Sequence, residues 1–113
     1  MPHCIIEYSR PVENQIEPMK LLSVVHGAAV KSGLFVEKTI KVRATPYDHY
    51  LIGGKVGEFI HVTINLLDGR TIKMKDDLSK LVLAELSELN LDLANLSVYV
   101  EDVIKAVYNK IES

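Results

Sequence analysis

The chain has 113 residues, of which 48% are hydrophobic and 25% charged, so it is too apolar to be disordered and is of a size for one domain spanning residues 1–113. Its formal net charge of -2 argues against nucleic-acid and anionic-membrane partners, and no apolar run approaches the ~18 residues of a membrane span. A single cysteine, Cys4, excludes a disulfide framework, and with no visible secretion signal the expected location is the cytoplasm.

The first third of the chain predicts a strand followed by a helix. Residues 3–8 (HCIIEY) form a short, partly β-branched run that ends in a turn. Pro18 suits the first turn of a helix that continues as far as Gly33, a natural stop signal. The apolar positions of this helix recur at helical spacing and are Leu21, Leu22, Val25, Ala28 and Ala29.

The middle of the chain predicts two further strands. Residues 39–45 (TIKVRAT) alternate strictly, which places Lys41 and Arg43 together on one side of a strand. Residues 46–57 are rich in glycine and predict a loop or irregular hairpin. The β-rich run 59–67 (FIHVTINLL) follows and ends at an Asp-Gly turn.

The last third predicts a second helix and a fourth strand. Thr71 is the expected N-cap of this helix, whose apolar positions are Met74, Leu78, Leu81, Val82, Leu86 and Leu89. Residues 96–101 alternate as a strand, and residues 103–111 suggest a short closing helix.

The element order β-α-β-β-α-β predicts an α+β fold, in which two helices cover one face of a four-stranded sheet. The second face then needs a partner, most simply another copy of the chain. We expect the surplus apolar surface of this small body to lie on that second face.

Several common catalytic arrangements have little support in the sequence. The four histidines lack metal-ligand spacing. A contact between His3 and His61 across neighbouring strands is conceivable, but two separate sheet histidines are favoured. Cys4 lies in an apolar strand and is expected to be a core residue. The glycines of LIGGKVGEF precede a strand, whereas a phosphate-binding loop precedes a helix.

Positive charge is the remaining candidate feature. Lys41 and Arg43 share a strand face and Arg70 follows another strand, and cations in such places bind carboxylates, an arginine doing so bidentately. Taken alone, these residues are more typical of a solvent-facing surface, which is the favoured interpretation without a second observation.

The second observation is the Met1-Pro2 opening. Initiator methionine is generally removed before a small residue, which would leave Pro2 as a free secondary amine. Because Pro2 directly precedes a strand within the sheet, its nitrogen should be held in place. An apolar site beside cations disfavours the ammonium form, so this amine could act as a general base near neutral pH.

These residues together resemble the tautomerase superfamily with its amino-terminal proline, and within it the 5-carboxymethyl-2-hydroxymuconate isomerases. The resemblance extends from end to end. It is carried by the opening MPH-x-I-x-E, by SGLF after the first helix, by TIKVRA, by HVTINLLDGR and by LSVYVED. It implies a homotrimer with sites between subunits.

The resemblance also implies residue roles. Pro2 corresponds to the family's general base, and the carboxylate-binding arginines fall at Lys41 and Arg70. Arg70 matches in type, Lys41 does not, and Arg43 lies close enough to compensate. The implied reaction isomerises 5-carboxymethyl-2-hydroxymuconate or a similar unsaturated 2-hydroxy or 2-oxo di- or tricarboxylate, without a cofactor or metal, during the breakdown of aromatic acids.

Two alternatives stay open at this point. The chain could be a non-catalytic ferredoxin-like binding or interaction module, in which the three cations are surface charges and Pro2 is incidental. It could also be a tautomerase of different substrate, of the phenylpyruvate or 4-oxalocrotonate type.

Overall fold

A computed structural model describes residues 1–112 of the protein. Its helices and strands are, in chain order, β1 (His3–Ser9), α1 (Pro18–Lys31), β2 (Lys41–Tyr47), β3 (Phe59–Leu67), α2 (Ile72–Ser87) and β4 (Asn95–Val103). The strands form one sheet in the order β2-β1-β3-β4. The β1/β2 and β3/β4 pairs are parallel and the central β1/β3 pair is antiparallel, so the predicted β-α-β-β-α-β fold is confirmed.

The core lies between the two helices and one face of the sheet. Alternate residues of the inner strands are fully buried, among them Cys4 and Ile6 of β1 and Val62 and Ile64 of β3. The helices bury most of the positions that their periodicity predicted, namely Leu21, Val25, Ala28 and Ala29 in α1 and Leu78, Val82 and Leu86 in α2. Of the other predicted positions, Leu22, Leu81 and Leu89 are partly buried and Met74 is exposed. Burying a large aliphatic side chain contributes ~1.5–3 kcal/mol, so this face fixes how the helices sit on the sheet.

Helix α2 begins as expected, because the Thr71 side chain accepts a hydrogen bond from the Met74 amide at 3.1 Å. Neither helix is long and apolar enough to cross a membrane, as far as residues 1–112 are concerned.

The closing helix predicted over residues 103–111 is wrong. Val103 still pairs with Leu67 in the sheet, and only Lys105–Val107 form a single 3-10 turn. A short helix needs a buried face to offset its nucleation cost, and here Ile104 and Val107 are 63% and 71% exposed.

The uncovered face of the sheet is more polar than expected. Its β1 and β2 residues include His3, Glu7, Lys41 and Arg43, and the strand register places Asn65 of β3 on the same face. The expectation that surplus apolar surface collects there is therefore wrong, although Ile5, Phe59 and Tyr99 also belong to this face.

Candidate active site

The sheet topology brings three chain segments to one end of the molecule. Strands β1 and β2 begin there, because His3 pairs with Lys41 in parallel register. Strand β3 runs the other way and ends there, because His3 also pairs with Asn65. Arg70 follows the end of β3, so the end of the sheet that holds Pro2 also carries Lys41 and Arg70.

The amino terminus is held at this end. The Pro2 side chain is fully buried, and its carbonyl accepts a hydrogen bond from the Lys41 amide at 3.1 Å. The Met1 carbonyl accepts a bond from Thr39 Oγ1 at 3.3 Å. Two successive carbonyls are thus fixed to the segment that enters β2.

The electrostatic environment of the terminus disfavours a charged amine. The pKa of the Met1 amine is lowered, first by burial and then by the positive charge of Lys41 and of Lys110. The Lys41 ammonium itself donates to the Thr39 carbonyl at 2.9 Å, which keeps its charge near the terminus.

Arg43 lies on the same strand face as Lys41, as the alternation predicted. It is exposed, and its Nη1 donates to His3 Nδ1 at 3.0 Å. On the other side of the imidazole, His3 Nε2 lies 3.0 Å from the Tyr108 hydroxyl, with the two rings edge-on. The pKa of His3 is lowered by burial and then by Arg43 and Lys41.

Tyr108 is the residue that sequence reasoning missed. It lies 105 positions from His3 in a segment that was expected to be helical, and no spacing rule connects the two. Its aromatic character in an otherwise aliphatic and charged stretch was the only signal available.

Arg70 is positioned by the connection between α1 and β2. Its Nη2 donates to the Leu34 carbonyl at 2.7 Å, and its guanidinium carbon lies 5.2 Å from the centroid of the Phe35 ring. Leu34 and Phe35 belong to the SGLF sequence, so this motif orients an arginine. Among residues 1–112, Arg70 has no acidic partner, so its charge rests on a backbone carbonyl and an aromatic face.

The family model of 5-carboxymethyl-2-hydroxymuconate isomerase (CHMI) matches residues 2–106, nearly the whole chain. The chain belongs to this family. The matched range begins at Pro2 and includes Lys41, Arg43 and Arg70, but it ends two residues before Tyr108. No curated protein matches the chain.

Solved structures agree on the fold. A 5-carboxymethyl-2-hydroxymuconate isomerase from Deinococcus radiodurans R1 is 19% identical over 99% of this chain and 90% of its own, with a TM-score of 0.85. A 5-carboxymethyl-2-hydroxymuconate delta-isomerase is 18% identical over 100% and 89%, with a TM-score of 0.75. A symmetric trimer of fused wild-type 4-OT is 20% identical over 92% and 87%, with a TM-score of 0.77. Together with the family assignment, this similarity supports an isomerase of the tautomerase type.

The alternative sites do not form in this family member. The β1/β3 register places His61 opposite Glu7, and His61 Nδ1 lies 2.6 Å from Ser97 Oγ, so there is no contact between His3 and His61. Burial raises the pKa of the Cys4 thiol to about 11, which keeps it protonated. Within residues 1–112, no group of three or more His, Cys, Asp or Glu side chains is arranged to hold a metal ion.

Proposed function

We propose that the protein is a cofactor-independent keto-enol isomerase that acts on 5-carboxymethyl-2-hydroxymuconate or a similar unsaturated 2-hydroxy or 2-oxo acid with additional carboxylates, in the breakdown of aromatic acids. The observation that carries the proposal is the burial of Pro2 at the end of the sheet that also carries Lys41, Arg43 and Arg70. An amine and several cations are the groups that proton transfer in an anionic substrate requires.

In this proposal, Pro2 is the general base. Removal of Met1 would make the Pro2 nitrogen a secondary amine close to the present terminus. Burial and the Lys41 charge lower the pKa of the terminal amine in the intact chain, and the same two causes would act on Pro2. A lowered pKa leaves more of the amine unprotonated near neutral pH, as a base requires.

The cations would bind carboxylates and stabilise the charge that develops in the reaction. The Pro2 nitrogen accepts the proton of the enol hydroxyl, the electron pair moves along the conjugated chain as a dienolate, and the protonated amine returns the proton to a carbon further along. Arg70, which is oriented by Leu34 and Phe35, would stabilise the dienolate together with Lys41. Every proton removed is returned, so the step needs no external oxidant or reductant.

We also propose that the protein acts as a homotrimer in the cytoplasm. Its structural neighbours include symmetric trimers of fused wild-type 4-OT, and the helices leave one face of its sheet uncovered. The face that carries Lys41 and Arg43 would then lie against neighbouring subunits, which would complete the site.

The test is the ketonisation of a 2-hydroxymuconate by untagged protein whose loss of Met1 is verified by intact mass. We expect Pro2→Ala to lower kcat/KM by roughly 10²–10⁴-fold, the range of general base catalysis. Pro11→Ala, at an exposed proline, is the control and should retain activity. An uncleaved amino-terminal tag should abolish turnover. Equal rates for Pro2→Ala and the native protein would exclude the proline base.

A substrate panel identifies the acid. Native protein is compared on 5-carboxymethyl-2-hydroxymuconate, 2-hydroxymuconate and enol-phenylpyruvate. Highest kcat/KM on the first supports the proposed substrate, whereas a preference for another assigns a different tautomerase activity. Turnover of none of them would favour the non-catalytic interpretation.

A further inference from the structure

His3 stands between two polar groups on the uncovered face of the sheet. Arg43 Nη1 and the Tyr108 hydroxyl lie on opposite ring nitrogens, each at 3.0 Å. The three residues come from β2, β1 and the segment after β4. They therefore connect the start of β1 to the last part of the chain.

The chemistry of these contacts fixes the tautomer of His3. A guanidinium has only donors, so Nδ1 must be the acceptor and carry no proton. The ring proton then resides on Nε2 and is donated to the Tyr108 oxygen. Arg43 therefore sets the Nε2–H tautomer, and the Tyr108 oxygen, which accepts the Nε2 proton, holds the ring with Nδ1 toward Arg43.

This contact leaves most of the Arg43 guanidinium available. An arginine has five N–H donors, and within residues 1–112 the only hydrogen bond of the Arg43 side chain is the one to His3. The bond restrains a long side chain that is otherwise exposed. A restrained guanidinium with free donors binds a carboxylate better than a mobile guanidinium does, because the arginine side chain loses less rotamer freedom on binding.

We propose that His3 is a positioning residue: its Nε2–H donates to Tyr108, which holds the ring in place, and its Nδ1 orients the Arg43 guanidinium to bind a second carboxylate of the ligand. This inference rests on the proposed function, because it assigns Arg43 to a substrate carboxylate. It makes His3 and Tyr108 determinants of the preference for dicarboxylates over monocarboxylates.

The experiment measures binding without turnover. Muconate and sorbate have the same conjugated six-carbon chain and differ in one carboxylate, and neither has the 2-hydroxyl group that ketonisation needs. Their Kd values are measured by calorimetry on the full-length untagged protein. The ratio of the two values isolates the contribution of the second carboxylate.

Two substitutions of His3 separate its two contacts. His3→Asn places an acceptor near the position of Nδ1 and gives up the contact with Tyr108, whereas His3→Gln reaches toward Tyr108 and gives up the contact with Arg43. We expect His3→Gln to reduce the preference for muconate roughly 10-fold and His3→Asn to retain most of it. Equal ratios in the two variants would overturn the proposal.

Tyr108 is tested by removal of its hydroxyl. Tyr108→Phe keeps the contact between Nδ1 and Arg43 but no longer holds the ring, so it should reduce the muconate preference less than His3→Gln does. In the native protein, ¹⁵N NMR of labelled histidine should show the Nε2–H tautomer of His3. Tyr99→Phe, at a tyrosine that is 57% exposed on β4, is the matched control. A proton on Nδ1 in the native protein at neutral pH would overturn the assignment.

These results are separable from those of the Pro2 test. If Pro2→Ala keeps the native rate, the proposed base fails, but the muconate preference and its dependence on His3 are still measured. If Pro2→Ala is inactive while His3→Gln leaves the preference unchanged, only the positioning role is overturned.

Discussion

Lys41 and Arg43 share one face of β2 but have different partners. The Lys41 ammonium is bonded to the Thr39 carbonyl beside the amino terminus, where its charge lowers the pKa of the terminal amine. The Arg43 guanidinium contacts the His3 imidazole, and within residues 1–112 its other donors make no hydrogen bond. Lys41 therefore acts as a charge near the proposed base, whereas Arg43 offers directional hydrogen bonds further along the strand.

His3 predicts a pH dependence of stability. Burial lowers the pKa of His3 below the ordinary 6.5, and the positive charges of Arg43, Lys41 and the amino terminus lower it further. Between that value and the lower folded-state pKa, the unfolded chain binds more protons, so stability falls as the pH decreases through this window. In urea unfolding, we expect the free energy of unfolding to decrease below pH 6.5 more steeply in the native protein than in His3→Asn. Parallel pH profiles would contradict this prediction.

At the level of elements, the periodicity of apolar residues predicted the strands and helices, because each depends on residues that are close together in the sequence. The alternation around Lys41 and Arg43 and the helical spacing from Leu21 to Ala29 both reappear in the structure, because each pattern matches one buried face. The contact between His3 and Tyr108 was not predictable, since it depends on where an irregular segment returns after β4. The closing helix failed for a related reason, since its apolar residues have no core to enter.

The start of α2 provides a test at this level. The Thr71 side chain satisfies the Met74 amide, one of the unpaired donors of the first helical turn. We expect Thr71→Ala to lower the free energy of unfolding by ~1 kcal/mol, measured by urea denaturation. Thr71→Ser keeps the hydroxyl and should change stability little. A loss of similar size in both variants would indicate that the cap bond is not responsible.

At the scale of the whole molecule, the two strand-helix-strand halves meet through the antiparallel β1/β3 pair. This pairing places the start of β1, in the first half, beside the end of β3, in the second half. The uncovered face mixes polar and apolar side chains. In the proposed trimer, its apolar side chains would pack between subunits and its few convergent polar groups would line the site.

The proposed trimer gives a prediction of mass. Sedimentation equilibrium of the native protein should give about three times the chain mass of 12.7 kDa. Ile5→Asp would place like charges at the centre of the uncovered face and should shift the protein toward the monomer. Leu83→Asp, on an exposed part of α2, is the control and should remain trimeric. A native protein that sediments as a monomer would contradict the trimer.

The burial of alternate β1 residues has a consequence for the opposite face of the sheet. Cys4, Ile6 and Tyr8 are locked into the core, and a slip of one residue between β1 and its neighbours would turn them outward. The same slip would drive His3 into the apolar layer and separate it from Arg43. The hydrophobic core thus sets the strand register on which the polar face depends. A conservative core substitution far from Pro2 that loosens this register would impair the proposed activity before it unfolds the protein.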